Sequence, residues 1–381
     1  MSIEGTRRLV YVDVSSAVHQ KAGLRRYTEN LVLALQPLMG DQLALFQNGL
    51  DSGNRLNGFA NHLLAGVPET YRTWRTKVLL GQLLGIGCDR LLPDAALFHA
   101  TEHLLLPLKR VPSVITVHDL VFQRYPQYHK RLNYLYLRAA MPLFCRRASH
   151  IIAVSQSTKR DLMHYYDLPD EKITVIPEAA APHFAPATPE QVERTRAKFS
   201  LPPRYLLTVG TIEPRKNLPR LLQACEPLLN EGVVDALVIV GHEGWLTESF
   251  HTFLAAYPQR ERVIRPGFVS EEELIALYGG ALLSVQPSLY EGFGLPVLEA
   301  MACGSPVCCS NVSSLPEVGG SAARYFDPDS VEDMRSMLRE VASDGMLLRQ
   351  MRQASLARAA EFSWESTARQ TLALYNQLIA K

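Results

Sequence analysis

Short apolar runs alternate with helical stretches along the whole of this 381-residue chain, and that alternation limits the folds open to it. The runs at 9–14, 113–117, 151–154, 205–209 and 281–285 have the length of buried strands, and each leads into a longer stretch with helical spacing. Strand–helix–strand repeats build parallel sheets with helices on both faces. The fold class expected is therefore α/β, with doubly wound, Rossmann-like sheets. A chain this long holds two domains more readily than one. The Pro- and Ala-rich stretch 177–188 is the best linker. We place the first domain at 1–182, the second at 183–362 and a closing helical stretch at 363–381. Ligands bind outside the carboxyl ends of such strands, so the two edges would face an interdomain cleft.

The stretch richest in chemistry is 287–304, Pro-Ser-Leu-Tyr-Glu-Gly-Phe-Gly-Leu-Pro-Val-Leu-Glu-Ala-Met-Ala-Cys-Gly. It follows a buried strand. Gly292 and Gly294 allow a tight turn and close backbone approach. Pro296 suits a first helical turn, and Gly304 suits a helix end. First-turn N–H groups at 295–298 would be unpaired and form an anion site. Glu291 and Glu299 flank it, with seven residues between them. Either acid alone could simply compensate the helix dipole. Carboxylates accept hydrogen bonds from hydroxyls, so an anion site with an acid on each side points to a sugar nucleotide.

Net charge is +1, so nothing draws the whole chain to nucleic acid, and no nucleic-acid partner is expected. The six cysteines show no CxxC spacing, and Cys308-Cys309 sit in an apolar run. A reduced, cytosolic protein fits this better than a disulfide scaffold or zinc site. Residues 1–8 lack the apolar core of a signal peptide, and no run approaches the ~20 apolar residues of a membrane span. Localisation is expected to be cytoplasmic, with peripheral contact on the cytoplasmic membrane face left open.

In the first half, Gly23 precedes a helical pattern, a single glycine that also suits an ordinary turn. The polar loop 15–21 before it could face a cleft. His118-Asp119 closes the strand 113–117, where a histidine can serve a ligand or simply cap the strand through backbone. Segments 71–80 and 129–147 mix aromatic and basic residues. They suit an acceptor or membrane surface, or amphipathic helices with solvated Arg and Lys; we favour the latter. In the second half, Arg215 and Lys216 stand on the loop after strand 205–209, where cations can clamp a diphosphate. Ser270 to Glu273 is a capping box, which explains the three glutamates there without a metal.

Two strings, 209–218 (Val-Gly-Thr-Ile-Glu-Pro-Arg-Lys-Asn-Leu) and 291–302 (Glu-Gly-Phe-Gly-Leu-Pro-Val-Leu-Glu-Ala-Met-Ala), resemble the family 4 glycosyltransferases, retaining enzymes of the GT-B fold. The second string matches the family's E-x7-E motif. The resemblance extends to Gly23, 117–120, 153–155 and 267–270, and leans toward bacterial mannosyltransferases of surface polysaccharide assembly. It implies that Glu291 holds hydroxyls of the transferred sugar and Glu299 those of the ribose. Backbone N–H groups at Phe293, Gly294 and Leu295 would meet sugar and phosphate. Arg215 and Lys216 would hold the diphosphate, Val269 would meet the base through its backbone, His118 would bond the donor sugar, and Gly23 would let a loop near the phosphates. The last helix would cross back to the first domain. One departure stands out: many members carry Arg directly after the strand-end glycine, where this chain has Thr211. Arg215 is expected to supply that cation.

The function implied is metal-independent transfer of a hexose from a nucleotide diphosphate sugar to a glycan or lipid-linked saccharide acceptor. The donor expected is GDP-mannose, with UDP-sugars next. No Asp-x-Asp is expected at a strand end, so no divalent metal is needed, and no cofactor is called for. With no second carboxylate evident opposite Glu291, retention would proceed by front-face attack. Three alternatives share the features: a nucleotide-sugar epimerase, a non-catalytic nucleotide-sugar binding protein, and an exported two-lobed solute-binding protein.

Overall fold

The computed structural model of the chain describes residues 8–19, 22–50 and 54–380. Contacts divide it into two compact units, one running up to Arg124, over Arg131–Glu178 and from Ser363 on, the other formed by Tyr125–Lys130 and Ala179–Phe362. The first unit thus ends at Glu178, where 182 was expected. Residues 125–130, placed in the first domain from sequence, group with the second unit. The local reason is polar: Trp245 Nε1 donates to the Tyr128 carbonyl at 2.5 Å, and the Tyr125 hydroxyl to the Leu289 carbonyl at 3.4 Å.

The first unit holds seven parallel strands: β1 (Leu9–Asp13), β2 (Leu43–Asn48), β3 (Leu64–Val67), β4 (Ala95–Ala100), β5 (Ser113–Val117), β6 (His150–Ala153) and β7 (Ile173–Val175). Their order is β3-β2-β1-β4-β5-β6-β7. The chain winds outward in one direction from β1 and in the other from β4, so the switch point lies between those two strands. β1, β2 and β5 are buried along their whole length, as central parallel strands must be. Phe46, Phe98, Ile115 and Phe144 anchor this core, each contributing about 1.5–3 kcal/mol by burial. The helix Trp364–Ile379 belongs to this unit. Tyr375 and His99 bind through hydroxyl and Nδ1 at 2.5 Å, and the Thr367 hydroxyl donates to the Pro177 carbonyl at 2.7 Å. Burial drives His99 down to about 3, so it is neutral there.

The second unit holds β8 (Tyr205–Val209), β9 (Ala236–Val240), β10 (Val263–Ile264), β11 (Leu283–Gln286), β12 (Val307–Ser310) and β13 (Arg324–Phe326), in the order β10-β9-β8-β11-β12-β13 and all parallel. Its switch point lies between β8 and β11. Leu206, Leu222, Val285 and Phe326 lie in its core. Ser270 caps the helix Glu271–Gly280 through the reciprocal box read from sequence. The cysteines are free, five buried and Cys88 half-buried. No helix among the described residues is long and apolar enough to cross a membrane.

Candidate active site

The loops leaving β8 and β11, the two strands at the switch point of the second unit, are bound together. The Leu289 N–H donates to the Arg215 carbonyl at 2.9 Å. Asn217 Nδ2 donates to the Pro287 carbonyl at 3.1 Å and to that of Pro328 at 2.8 Å. Asn217 adopts a left-handed conformation, φ 57°, which an Asn tolerates better than most residues. From the other side, the Ser314 hydroxyl donates to the carbonyls of Glu291 and Phe293, and the Glu291 N–H donates to Ser313 Oγ. The sharp turn falls on Gly294 alone, with φ 112°, where a Cβ would sit 2.9 Å from Leu315 Cδ2. Gly292 needs no positive φ.

Glu291 is the hub of this site. Its Oε1 accepts from Lys216 Nζ at 2.6 Å, Ser288 Oγ at 2.6 Å and Gln286 Nε2 at 2.9 Å. Its Oε2 accepts from Arg215 Nη1 at 2.7 Å. Arg215 also reaches Glu213 Oε1, through Nε at 3.1 Å and Nη2 at 2.6 Å. Two cations and two carboxylates therefore form one nearly sealed network. Burial pushes the Glu291 carboxyl up, but the charges of Arg215 and Lys216 outweigh it and hold the group well below the usual range. A solvated basic turn is excluded: Lys216 is 8% exposed. Room for its side chain depends on Gly210, where a Cβ would meet Lys216 Cε at 2.9 Å.

Two of the expected residues meet in this geometry. Arg215 stands beside Glu291, as a replacement for the family's missing cation should, but its guanidinium is tied to carboxylates. Glu291, expected to hold sugar hydroxyls, accepts three hydrogen bonds on Oε1 and one on Oε2 from its own unit and orients Arg215 and Lys216. The anion site is also narrower than expected. Val297 and Leu298 both donate to the Gly294 carbonyl, and Pro296 has no N–H. Of the four positions, the Leu295 N–H remains at the start of the helix Leu295–Ala302. Glu299 lies within that helix, 1% exposed, accepting from the Tyr278 hydroxyl at 3.3 Å. Phe293 is buried with its ring 6.0 Å from Phe362. Val269 is half-buried and immediately precedes the cap Ser270.

His118 lies in the other unit, at the carboxyl end of β5. Its Nδ1 meets Glu178 Oε1 at 2.9 Å and its Nε2 the Thr101 carbonyl at 3.0 Å. Both ring nitrogens are therefore engaged, and a carboxylate and a carbonyl as partners favour the protonated ring. Burial alone would pull it down; the bonded Glu178 carboxylate and the Thr101 carbonyl outweigh that and raise its pKa. The Tyr27 ring stands edge-on at 4.6 Å. Thr101 Oγ1 donates in turn to the Asp13 carbonyl at 2.6 Å, linking His118 to the β1/β4 switch point. The strand-capping alternative is partly realised through Thr101, and the expected bond from His118 to a donor sugar would need one ring nitrogen to change partner.

Gly23 is not a turn residue. It is exposed within the helix Ala22–Met39, and a Cβ there would meet nothing within 4 Å. In the polar loop before it, residues 15–18 form a short helix, and Gln20 and Lys21 lie outside the described residues. The expectation about Asp-x-Asp also needs correction, since Asp327-Pro328-Asp329 follows β13 directly. Its groups serve the turn: the Asp329 N–H donates to Asp327 Oδ1 at 2.9 Å, and Asp329 pairs with Arg220 at 3.3 Å. The basic aromatic segments pack on each other, with Arg75 3.6 Å over the Tyr136 ring and bonded to Asn133 Oδ1. Sequence reasoning missed Glu178, hidden in the supposed linker, and Glu213, Gln286, Ser288 and Asn217, which sit beside or inside the motifs that were read.

Comparison with known proteins decides between the alternatives. The model for glycosyltransferase family 4 matches residues 22–184, and that for glycosyl transferases group 1 matches residues 190–358. The O-antigen chain mannosyltransferase B of Escherichia coli is 33% identical over 275 residues, 72% of each chain. This chain belongs to the family 4 glycosyltransferases. The serotype-specific mannosyltransferase WbdA of Escherichia coli is 34% identical over 238 residues, which are 61% of this glycosyltransferase and 29% of WbdA. A sucrose-phosphate synthase from Thermosynechococcus elongatus superposes with a TM-score of 0.74 at 20% identity, covering 98% of this glycosyltransferase and all of that chain. The fold is therefore GT-B, two Rossmann-like α/β domains, and the protein is an enzyme of hexosyl transfer.

Proposed function

We propose that this glycosyltransferase moves mannose from GDP-mannose to a hydroxyl of a glycan or lipid-linked saccharide in bacterial surface polysaccharide assembly, with retention at the anomeric carbon and without a metal. The choice of mannose is supported by the likeness to an O-antigen chain mannosyltransferase over 72% of the chain and to a serotype-specific mannosyltransferase over 61% of it. The observation that carries the mechanism is the network of Arg215 and Lys216 on Glu291, beside the N-terminus of the helix Leu295–Ala302.

The bond from the anomeric carbon to the diphosphate oxygen breaks, and GDP leaves with the electron pair. The acceptor oxygen attacks from the same face and gives its proton to a donor phosphate oxygen. Charge growing on the diphosphate draws on Lys216 Nζ, Arg215 and the Leu295 N–H, all oriented beforehand. Glu291 keeps the cations in place without being consumed. Glu299 would take the ribose hydroxyls and Val269 the base. Incubation with radiolabelled GDP-mannose, EDTA and a mannose-terminated oligosaccharide should yield an α-linked product, read by NMR. Transfer from UDP-glucose alone would keep the chemistry and reject mannose. Turnover only with added Mg²⁺ would reject metal independence, and an isomerised nucleotide sugar without acceptor would favour the epimerase alternative.

A membrane-borne acceptor also suits the first unit. Leu83, Leu84 and Ile86 at the end of the helix Tyr71–Leu84, and Leu132 and Leu135 on the helix Arg131–Arg147, are all more than half exposed. Such leucines beside Arg131 and Arg138 suit an anionic bilayer surface. Leu132→Glu should reduce cosedimentation with phosphatidylglycerol vesicles; equal sedimentation of both forms would reject peripheral contact.

A further inference from the structure

A cavity of about 320 Å³ opens in the second unit between the loop after β8, the helix starts at Leu218 and Glu248, and Leu289. Its apolar wall is Ile212, Leu218, Phe250 and Leu289, and Tyr128 also lines it. Glu213 is its one carboxylate, 5% exposed. Both hydrogen bonds that Arg215 gives to Glu213 fall on Oε1, and no described hydrogen bond falls on Oε2.

The charges in and around this cavity cancel. Glu213 is balanced within the network of Arg215, Lys216 and Glu291. Arg220, which also lines the cavity, donates to Asn217 Oδ1 and pairs with Asp329. A phosphate entering here would meet a carboxylate oxygen and no unpaired cation. A hydroxyl would find a charge-assisted acceptor in Glu213 Oε2. An apolar wall with one placed acceptor fits the two-faced character of a sugar ring, with C–H groups against Tyr128 and Phe250 and hydroxyls toward Glu213. The volume is at the small end for ligand sites and equals that of roughly ten waters, which suits a single hexose.

Resting on the glycosyltransferase function above, we infer that this cavity is a subsite for a neutral hexose ring of the acceptor, with Glu213 accepting one of its hydroxyls. Glu213 then serves two ligands at once, through Oε1 to Arg215 on the donor side and through Oε2 to the acceptor.

Ser249 is exposed on the helix Glu248–Ala255 and lines the cavity, so Ser249→Trp fills it without disturbing a core. With GDP-mannose and a mannose-terminated oligosaccharide, the acceptor KM should rise about tenfold or more while the donor KM moves less than about twofold. A donor KM that rises equally, or no change in either, overturns the subsite. Thr247→Trp repeats the test from the adjacent position. Saturation-transfer NMR with methyl α-mannoside reads the same site without turnover. Signals present in wild type and lost in Ser249→Trp support it, and signals retained in the variant overturn it. Should wild type turn over no GDP-mannose, the proposed function falls, and the NMR result alone judges the cavity.

Discussion

His118 and Glu291 occupy comparable places, each past the carboxyl end of a central parallel strand and each beside an opposite charge, Glu291 buried and His118 half-buried. Their surroundings differ in kind. Around Glu291, four donors converge on one carboxylate, and Arg215 carries the network on to Glu213. Around His118, the two ring nitrogens meet two partners, Glu178 and the Thr101 carbonyl. A hub carboxylate leaves its cations with directions in which to reach a ligand. A ring with both nitrogens engaged offers instead its position, its charge and the elements it ties together.

Breaking the hub should have the larger effect. Glu291→Ala strands Lys216 in a buried site and leaves Arg215 to Glu213, and removing one partner of such a pair costs about 3–5 kcal/mol, measurable by urea denaturation. Loss of oriented charge at the leaving group should lower kcat by about 10²–10³. A variant with wild-type stability and normal kcat would mean that the hub does nothing.

The two regions should also fail at opposite ends of the pH scale. The Glu291 carboxyl is held low in the folded state, so its contribution is present above the ordinary carboxylate value of about 4.3 and is lost as pH falls through the folded value. The His118 value is raised, so its contribution is complete below the ordinary histidine value of about 6.5 and is lost as pH rises through the folded value. The stability difference between wild type and Glu178→Gln should therefore be largest near pH 6 and shrink toward pH 9. The same variant should move the basic limb of the kcat profile to lower pH. A pH-independent difference would show that Glu178 acts by packing alone.

A smaller effect is expected away from both sites. Arg75→Ala removes the stacking on Tyr136 and the bond to Asn133, at a cost of about 0.5–2 kcal/mol. Thermal unfolding should shift slightly while kcat stays near wild type. A large loss of transfer would give this helix pair a part in binding the acceptor.

What could be read in the sequence divides along the same line. The second unit's site is written in two short strings, because a β8 loop and a β11 loop each deliver their groups within a few residues of a strand end. Even there, the partners were not legible. Arg215 and Glu291 are 76 residues apart, and only the sheet order brings β8 beside β11. In the first unit, Glu178 stands 60 residues after His118, in a Pro- and Ala-rich stretch with the composition of a linker. β3 escaped notice because Leu64-Ala65-Gly66-Val67 is short and only partly buried, so it shows no alternation. Gly23 misled for the opposite reason, since a glycine ahead of a helical pattern resembles a turn whether or not the backbone needs one.

The most direct test of the central claim, that cations ordered by Glu291 hold the diphosphate of a guanine nucleotide, is calorimetric titration of GDP and UDP in EDTA. Wild type and Lys216→Ala should be titrated side by side. Wild type should bind GDP more tightly than UDP, and Lys216→Ala should weaken GDP by at least about tenfold, or 1.4 kcal/mol. Equal GDP affinity in both proteins, or binding that appears only when a divalent metal replaces EDTA, would contradict it.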